Sequence, residues 1–354
     1  MIHLHCIIHS VAYTSKVVAK VKANQGAESV FLVTKSYRSI DITIGKKTET
    51  WDLWRVIKWL NTQEVASFTA HFLSSIAAVL MLRLDKSTTV KWVVWGGDFY
   101  DLPQVKAYYS DKGHADSISL KQKLGYKLIT QALARIDSII ANPCDQGEIS
   151  TYLNLSAHRA TLNFLLDASQ LTPLNPLNDQ DKVLIGNSDD PNNRHLVVVD
   201  QLAKIDSLDD SVIPLSGVNN SYTSSLKSTI AEIYPSASVD YLDSYIEESN
   251  YFDLLSSCSH LAFGHLRQQG MGTLFSFLIS DRVCYMQSRS PYYQYLIKEG
   301  VTIYPLDLIK QGVPEITRTE STNNKRLIAQ LFDTELIDSQ WKKALTYLKP
   351  RNSE

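Results

Sequence analysis

The sequence has few cysteines and no excess of charge, and both features exclude classes of protein. Its 354 residues contain four cysteines that are far apart in the chain and form no CxxC pair: Cys6, Cys144, Cys258 and Cys284. A cysteine-based metal site is therefore excluded, and small buried thiols in a reducing compartment are expected. The formal net charge of −2 excludes a strong overall attraction to nucleic acid.

Signals for membrane insertion and for secretion are also missing. The most apolar stretch, residues 72–84, is too short to span a bilayer and contains Arg83. The first ten residues, MIHLHCIIHS, lack the basic region and the cleavage site of a signal peptide, and their apolar pattern is typical of a strand. A cytoplasmic location is predicted.

Strand-like and helix-like stretches alternate along the chain, and the alternation restarts after a linker. Residues 171–181, LTPLNPLNDQD, contain two prolines and no periodicity, which is typical of a connection between domains. We predict an α/β protein with Rossmann-like domains at 1–172 and 182–320, and C-terminal helices at 321–354 that pack back on the first domain. Two such domains facing a central cleft form the GT-B arrangement of nucleotide-sugar glycosyltransferases. The G-x-G-x-x-G of dehydrogenases is absent after the first strand.

A glycine turn between a strand and a helix lies in the middle of the second domain. The strand is predicted at 261–266, and the sequence RQQGMGT leads into the helix. Glycines let the backbone approach a ligand closely, and the free N–H groups of a helix start favour an anion. The pattern predicts a diphosphate site, with an ordinary tight connection as the alternative. The residues assigned to it are Gly270, Met271, Gly272 and Thr273.

The second domain has no DxD motif at a strand end, so the positive charge for a diphosphate must come from elsewhere. Arg267 is expected to supply it or to cap the preceding strand, and Gln268 and Gln269 are expected to bind sugar hydroxyls. Asp189 and Asp190 lie at a predicted helix start and suit capping better than metal binding. No metal and no cofactor are expected.

Polar residues follow other strands of the second domain, where nucleotide sugars bind in open α/β sheets. Those after the strand at 182–186 are assigned to the donor phosphates or sugar, with helix capping as the alternative: Asn187, Ser188 and Asn193. Those after the strand at 212–215 are assigned to the nucleoside: Ser216, Gly217 and Tyr222. Leu242 and Tyr245 are expected to contact the base.

A carboxylate follows the most strand-like stretch of the first domain, residues 90–95. We assign Asp98 as the candidate catalytic carboxylate, with a simple Asp turn as the alternative. It would be a general base in an inverting reaction, or would orient the acceptor in a retaining one. His71, at a neighbouring strand end, is the second candidate. The surrounding acceptor-side residues are Gly96, Gly97 and Tyr100.

Four segments together resemble glycosyltransferase family fifty-six, the TDP-N-acetylfucosamine:lipid II N-acetylfucosaminyltransferases of enterobacterial common antigen assembly. They are KWVVWGGDFYDL at 91–102, VLIGNSDDPNNRH at 183–195, VIPLSG at 212–217, and 251–294 with RQQGMGT at its centre. The chain departs from the family at Gly97, where alanine is expected, and at Arg194-His195, where the family keeps mainly the histidine.

The resemblance implies a GT-B fold, no metal, and a peripheral enzyme on the cytoplasmic side of the inner membrane. It also implies transfer of an N-acetylated amino-deoxy sugar from a dTDP donor to an undecaprenyl-diphosphate-linked saccharide, with retention of configuration. A GT-B transferase that uses a UDP- or GDP-sugar and another acceptor, a two-domain epimerase, and a non-catalytic GT-B-like scaffold remain as alternatives. Membrane contact is expected from the basic and Trp-rich segments of the first domain: Lys16, Lys20, Lys22, residues 51–59 and residues 121–127.

Overall fold

The chain forms two compact units, and the second is inserted in the sequence of the first. The computed structural model describes residues 1–10, 13–25, 28–109, 119–163, 171–177, 182–205, 209–216, 220–244, 246–312 and 316–350. One unit comprises Met1–Leu165 and Thr334–Glu354, and the other comprises Leu166–Asp333. Each has its own sheet and its own core.

The first unit contains an eight-stranded sheet in the order β4-β3-β2-β1-β5-β6-β7-β8. Its strands are β1 (Ile2–Ile8), β2 (Ser29–Ser36), β3 (Ser39–Ile44), β4 (Lys47–Trp51), β5 (Val65–His71), β6 (Thr89–Val93), β7 (Ser138–Ala141) and β8 (His158–Thr161). β1, β2 and β5 to β8 are parallel, whereas β3 and β4 run antiparallel to their neighbours. The hairpin of β3 and β4 turns at Gly45, whose φ of +59° suits glycine.

The helices of this unit follow the strands along the chain. They are α1 (Thr14–Gln25), α2 (Leu53–Leu60), α3 (Ser75–Met81), α4 (Gly97–Tyr100), α5 (Pro103–Tyr109), α6 (Leu120–Leu133) and α7 (Pro143–Tyr152). Residues of α2, α3 and α6 pack with β-strand residues such as Leu32, Phe68 and Trp92 in one apolar core.

The second unit contains a six-stranded parallel sheet in the order β11-β10-β9-β12-β13-β14. Its strands are β9 (Lys182–Ile185), β10 (Ser211–Pro214), β11 (Asp240–Leu242), β12 (Cys258–Phe263), β13 (Val283–Met286) and β14 (Tyr304–Pro305). Its helices are α8 (His195–Leu202), α9 (Asn220–Ile233), α10 (Glu248–Ser256), α11 (Met271–Leu278), α12 (Pro291–Lys298) and α13 (Arg318–Leu331). β9 and β12 are central neighbours, so the loops that follow them start side by side.

The last helix, α14 (Thr334–Thr346), belongs to the first unit, whereas α13 belongs to the second. α14 covers a sheet face whose buried side chains are partly polar. His71 stacks on Trp341, and the ammonium of Lys91 donates to the Leu345 carbonyl. Burial lowers the pKa of Lys91 to about 7.

Several predicted elements have different bounds in the structure. The helix predicted at 50–60 begins only at Leu53, after Asp52 accepts a hydrogen bond from the Arg55 N–H, and the residues before it form β4. The region predicted as loop at 142–154 is mostly α7, which Asn142 caps and which has Pro143 in its first turn. None of the described helices is long and apolar enough to cross a bilayer.

Candidate active site

The loop after β9 begins at Gly186, a position where a larger residue would not fit. Gly186 has φ of +68°, and a Cβ atom there would lie 2.6 Å from Nε2 of His195. Both facts exclude larger residues, because the backbone conformation disfavours them and the imidazole occupies their space. Gly186 thus lets β9 turn directly above the first residue of α8.

The side chain of Asn193 holds this loop together. Its Oδ1 accepts from the Asn187 N–H at 3.2 Å, and its Nδ2 donates to the Ser188 and Asp190 carbonyls at 3.0 and 3.2 Å. Asn193 is fully buried. We predicted a donor contact for Asn193, and the structure places its amide inside the loop, where it fixes the positions of Asn187 and Ser188.

Two glycines bring the loop after β12 against the loop after β9. A Cβ at Gly264 would lie 2.7 Å from the Asn193 carbonyl oxygen. Gly270 has φ of +64°, and a Cβ there would lie 2.8 Å from Phe263 and 3.0 Å from Cγ of Asn187. The predicted glycine turn therefore depends on Gly270 for its conformation and for its close contact with Asn187.

The helix that follows the turn has no side-chain cap. Gly270 is the N-cap residue of α11, and because glycine has no side chain, the N-cap residue makes no capping hydrogen bond to the first N–H groups. A Cβ at Gly272 would meet no atom within 4 Å, so open space adjoins the first turn. The buried Oδ1 of Asn187 accepts no hydrogen bond from the described residues. Such a helix start suits an anionic ligand, and the amide oxygen of Asn187 beside it can accept a hydrogen bond from a hydroxyl of that ligand.

Arg267 supplies a positive charge next to this turn. Its Nη2 lies 2.6 Å from Oδ2 of Asp190, with 13% of the Arg267 side chain and 31% of the Asp190 side chain exposed. Burial, together with the charge of Arg267, lowers the pKa of His265 to about 3. Burial also lowers the pKa of His195 to about 4. Both imidazoles are neutral at pH 7, so they add no positive charge to that of Arg267.

The other residues predicted to bind the donor contact different groups within the protein. Gln269 donates to Oγ of Ser188 at 3.5 Å, and Gln268 is half-buried nearby in sequence. The Tyr222 hydroxyl lies 2.8 Å from Nδ1 of His195, so its contact is with an imidazole.

The remaining residues of that group lie farther along the chain. Ser216 is exposed after β10, and the Leu242 carbonyl accepts from the Leu215 N–H. Gly217 and Tyr245 lie outside the described residues. Their predicted contacts with a nucleoside stay predictions.

Asp98 is buried in the first unit and braces two turns. Its Oδ2 accepts from the Leu73 N–H at 2.9 Å and from Nε1 of Trp92 at 2.7 Å, and its Oδ1 accepts from the Trp95 N–H at 3.0 Å. Burial raises the pKa of Asp98, although these bonds oppose the shift. These hydrogen bonds give Asp98 a structural role, and its predicted catalytic role stays a prediction.

The turns that Asp98 braces are unusual in conformation. Phe72, just before Leu73, has φ of +87°, and Gly96, just after Trp95, has φ of +88°. A non-glycine residue in this region is strained and needs support from its surroundings. Gly97 is different: a Cβ there would lie at an ordinary 3.6 Å from Phe72, so the alanine expected from the resemblance would fit.

A second carboxylate, Asp145, lies beside Asp98 and was not predicted. Oδ1 of Asp145 accepts from the Tyr100 hydroxyl at 2.7 Å. Burial raises the pKa of Asp145 to about 6, and the nearby Asp98 contributes to the rise. The signal that could have revealed it is Asn142-Pro143, a typical helix start that places Asp145 in the first turn of α7.

His71 faces the sheet side that α14 covers. Its Nε2 lies 3.1 Å from Nδ1 of His5, its ring stacks on Trp341, and burial lowers its pKa to about 3. It is a neutral member of a buried histidine pair. Among the described residues, no three His, Cys, Asp or Glu side chains are grouped so that they could hold a metal ion.

Several solved structures share the fold of this protein, and they match most or nearly all of its chain. Anabaena HepE, in complex with UDP and glucose, matches with a TM-score of 0.65 and 11% identity over 98% of this chain and 100% of that chain. The OtsA apo structure matches with a TM-score of 0.64 and 10% identity, over 99% and 100%. The GtfA/B complex matches with a TM-score of 0.53 and 11% identity over 89% of this chain, which spans only 64% of that chain.

These likenesses and the two parallel-sheet units define the fold class as GT-B, as predicted. The family model of the 4-alpha-L-fucosyltransferases, glycosyl transferase group 56, matches residues 33–349, and the chain belongs to this family. It is therefore a hexosyltransferase that uses a nucleotide-sugar donor and a glycan acceptor.

Proposed function

We propose that this enzyme transfers an N-acetylated amino-deoxy sugar of the Fuc4NAc type from a dTDP donor to an undecaprenyl-diphosphate-linked saccharide. The reaction would serve assembly of a surface polysaccharide like enterobacterial common antigen. It would proceed without a metal ion, on the cytoplasmic side of the inner membrane. The family match supports sugar transfer in general, and the donor site described above supports a diphosphate-linked donor.

The observation that carries the proposal is the uncapped start of α11 beside Arg267 and Asn187. Two phosphates need several donors and positive charge, and this turn supplies backbone N–H groups and a guanidinium. The free oxygen of Asn187 can accept from a hydroxyl of the donor sugar. The Asp190 carboxylate already has Arg267 as its cation. A metal ion at Asp190 would have to displace that guanidinium, which supports a metal-independent reaction.

The test is calorimetric binding of dTDP, UDP and GDP, each with and without magnesium, followed by transfer to a lipid-linked saccharide. We expect the tightest binding for dTDP, with the same affinity when magnesium is removed by a chelator. Loss of binding on chelation would overturn the metal-free site. Transfer from the dTDP-sugar to the lipid-linked acceptor, with no transfer to free sugars, would support the acceptor assignment.

A UDP donor is the second candidate, because the similar HepE structure contains UDP and glucose. Tighter binding of UDP than of dTDP would favour it and would overturn the dTDP assignment while leaving the diphosphate site in place. Absence of binding to all three nucleotides would overturn the proposed site and favour a non-catalytic scaffold.

A further inference from the structure

The N-terminal half of α6 carries two exposed leucines that no part of the described chain covers. Leu120 is 84% exposed and Leu124 is 60% exposed. A capping box forms the helix start: Oγ of Ser119 accepts from the Gln122 N–H, and the Gln122 side chain accepts from the Ser119 N–H. The exposed leucines therefore lie on a capped first turn of the helix and not on a frayed end.

These leucines face away from the core of the unit. They are four residues apart and so share one face of the helix. The residues of α6 that are buried lie on the opposite side: Ile129, Ala132 and Leu133. Apolar side chains on a solvent face, clustered and not scattered, mark a surface that contacts something else.

Lysines flank the leucine pair on both sides. Lys123 and Lys127 lie on one flank and Lys121 on the other, and none has a carboxylate partner within 4 Å in the described part of the chain. Residues 102–109 and 119–134 contain no Asp or Glu, although the whole chain has 37. α3, which packs against α6 where Gly125 meets Ser75, has no acidic residue either. Within these described segments, no carboxylate neutralises the basic charge of the surface.

Several of the other residues predicted for membrane contact are already engaged within the protein. Lys20 pairs with Asp338, and Arg55 stacks on Trp51 while it pairs with Glu49. Trp51 and Trp59 pack on each other, which leaves Trp54 as the exposed tryptophan of α2. Of the predicted segments, the start of α6 has the most exposed apolar groups together with unpaired lysines.

We propose that the surface formed by Leu120, Lys121, Lys123, Leu124 and Lys127 binds an anionic lipid bilayer. The leucines would enter the boundary between headgroups and acyl chains, and the lysines would contact anionic headgroups. A second copy of the chain is a poorer occupant, because a two-fold contact through this face would place lysines against lysines. The inference rests on the proposed function only in that a lipid-linked acceptor requires the enzyme to reach a membrane.

The experiment measures flotation of the intact protein with vesicles of phosphatidylcholine alone or mixed with phosphatidylglycerol. No saccharide lipid is present, so the result does not depend on nucleotide binding or on transfer. We expect binding to the anionic vesicles that falls as salt rises. The double variant L120S/L124S should bind about tenfold more weakly, and K121Q/K123Q/K127Q about a hundredfold more weakly.

Matched controls remove the same number of exposed groups elsewhere. I233S/I297S removes two apolar side chains of the second unit that are 53% and 42% exposed, and K46Q/K47Q/K298Q removes three exposed lysines. Both should bind vesicles like the wild type. Thermal unfolding and dTDP affinity should be unchanged in all variants, which separates a failure of this surface from a failure of the proposed reaction.

Three outcomes would overturn the proposal. One is equal binding to neutral and anionic vesicles, and another is unchanged binding of the α6 variants. The third is a wild-type dimer in sedimentation that L120S/L124S converts to monomer, which would assign the surface to a second copy of the chain.

Discussion

The two sheets differ at the carboxyl ends of their strands in how far the polar groups there are hydrogen-bonded within the protein. In the first unit, Asp98 accepts three hydrogen bonds and Asp145 accepts the hydroxyl of Tyr100. In the second unit, α11 begins without a side-chain cap and Asn187 has a buried oxygen that accepts no hydrogen bond from the described residues. Parallel strands end at both places. At the first, Oδ2 of Asp145 also accepts no hydrogen bond from the described residues, whereas the second combines such an oxygen with an uncapped helix start.

From this difference we predict which residues shape a turn and which residues bind a ligand. Substitution at the first place should lower the free energy of unfolding, because donors inside the protein lose their acceptor. Substitution at the second should lower ligand affinity and leave the fold intact. Each of the following experiments tests one side of the comparison.

The largest effect is expected for Asp98→Ala. Three buried donors would lose their acceptor, at about 1–3 kcal/mol for each unsatisfied group, so the free energy of unfolding should fall by about 4 kcal/mol or more. Denaturant unfolding measures it, and Asp98→Asn should lose less because it keeps one acceptor oxygen. A stable Asp98→Ala protein that has lost transfer would contradict the bracing role and support the catalytic one.

The next effect is the pH dependence of Asp145→Asn. The pKa of Asp145 rises from 3.8 to about 6 on folding, so its contribution to the free energy of unfolding falls as the pH rises from about 4 to 6. The variant lacks this loss, and its stability relative to the wild type should improve by about 3 kcal/mol between pH 4 and pH 7. The exposed Asp253→Asn serves as control, and a pH-independent difference for Asp145→Asn would contradict the shift.

On the other side of the comparison, Gly272→Val should fold normally and bind nucleoside diphosphates about a hundredfold more weakly. The added side chain would enter the open space at the start of α11, where the N–H groups would meet phosphate. Calorimetry with dTDP measures the affinity. Gly147→Val is the control, because Gly147 also lies in a helix with no atom within 4 Å of an added Cβ. Unchanged affinity of Gly272→Val would remove the helix start from the site.

The smallest effects are expected at the Arg267–Asp190 pair. Arg267→Gln should weaken diphosphate binding about tenfold through loss of a charge-assisted contact. Asp190→Asn should strengthen binding by a few-fold, since the carboxylate no longer competes for the guanidinium. In the Arg267→Gln background the Asp190 substitution should have no effect. Weaker binding by Asp190→Asn alone would instead mean that Asp190 positions Arg267.

Alternation of strands and helices was enough to predict the GT-B class, and the glycine turn was predicted from RQQGMGT alone. The sequence did not reveal that Asn193 and Asp98 bind groups of their own chain, because such contacts join residues through tertiary packing. His71 is an example: its partner Trp341 is 270 positions away in the chain, and no local pattern links them. In the β3–β4 hairpin, β4 has no apolar periodicity, because it is short, polar and exposed. β3 does alternate isoleucines with polar residues, so its sequence carried a strand signal that was missed.

The return of α14 to the first unit has a consequence for synthesis on the ribosome. Ile337 and Trp341 are fully buried there, against a sheet whose first strand is made more than three hundred residues earlier. The second unit is complete once the chain reaches Asp333, whereas the first still lacks α14. Domains usually finish folding in the order of translation. In this protein the inserted unit finishes first, and part of one face of the N-terminal sheet stays uncovered until α14 has been made.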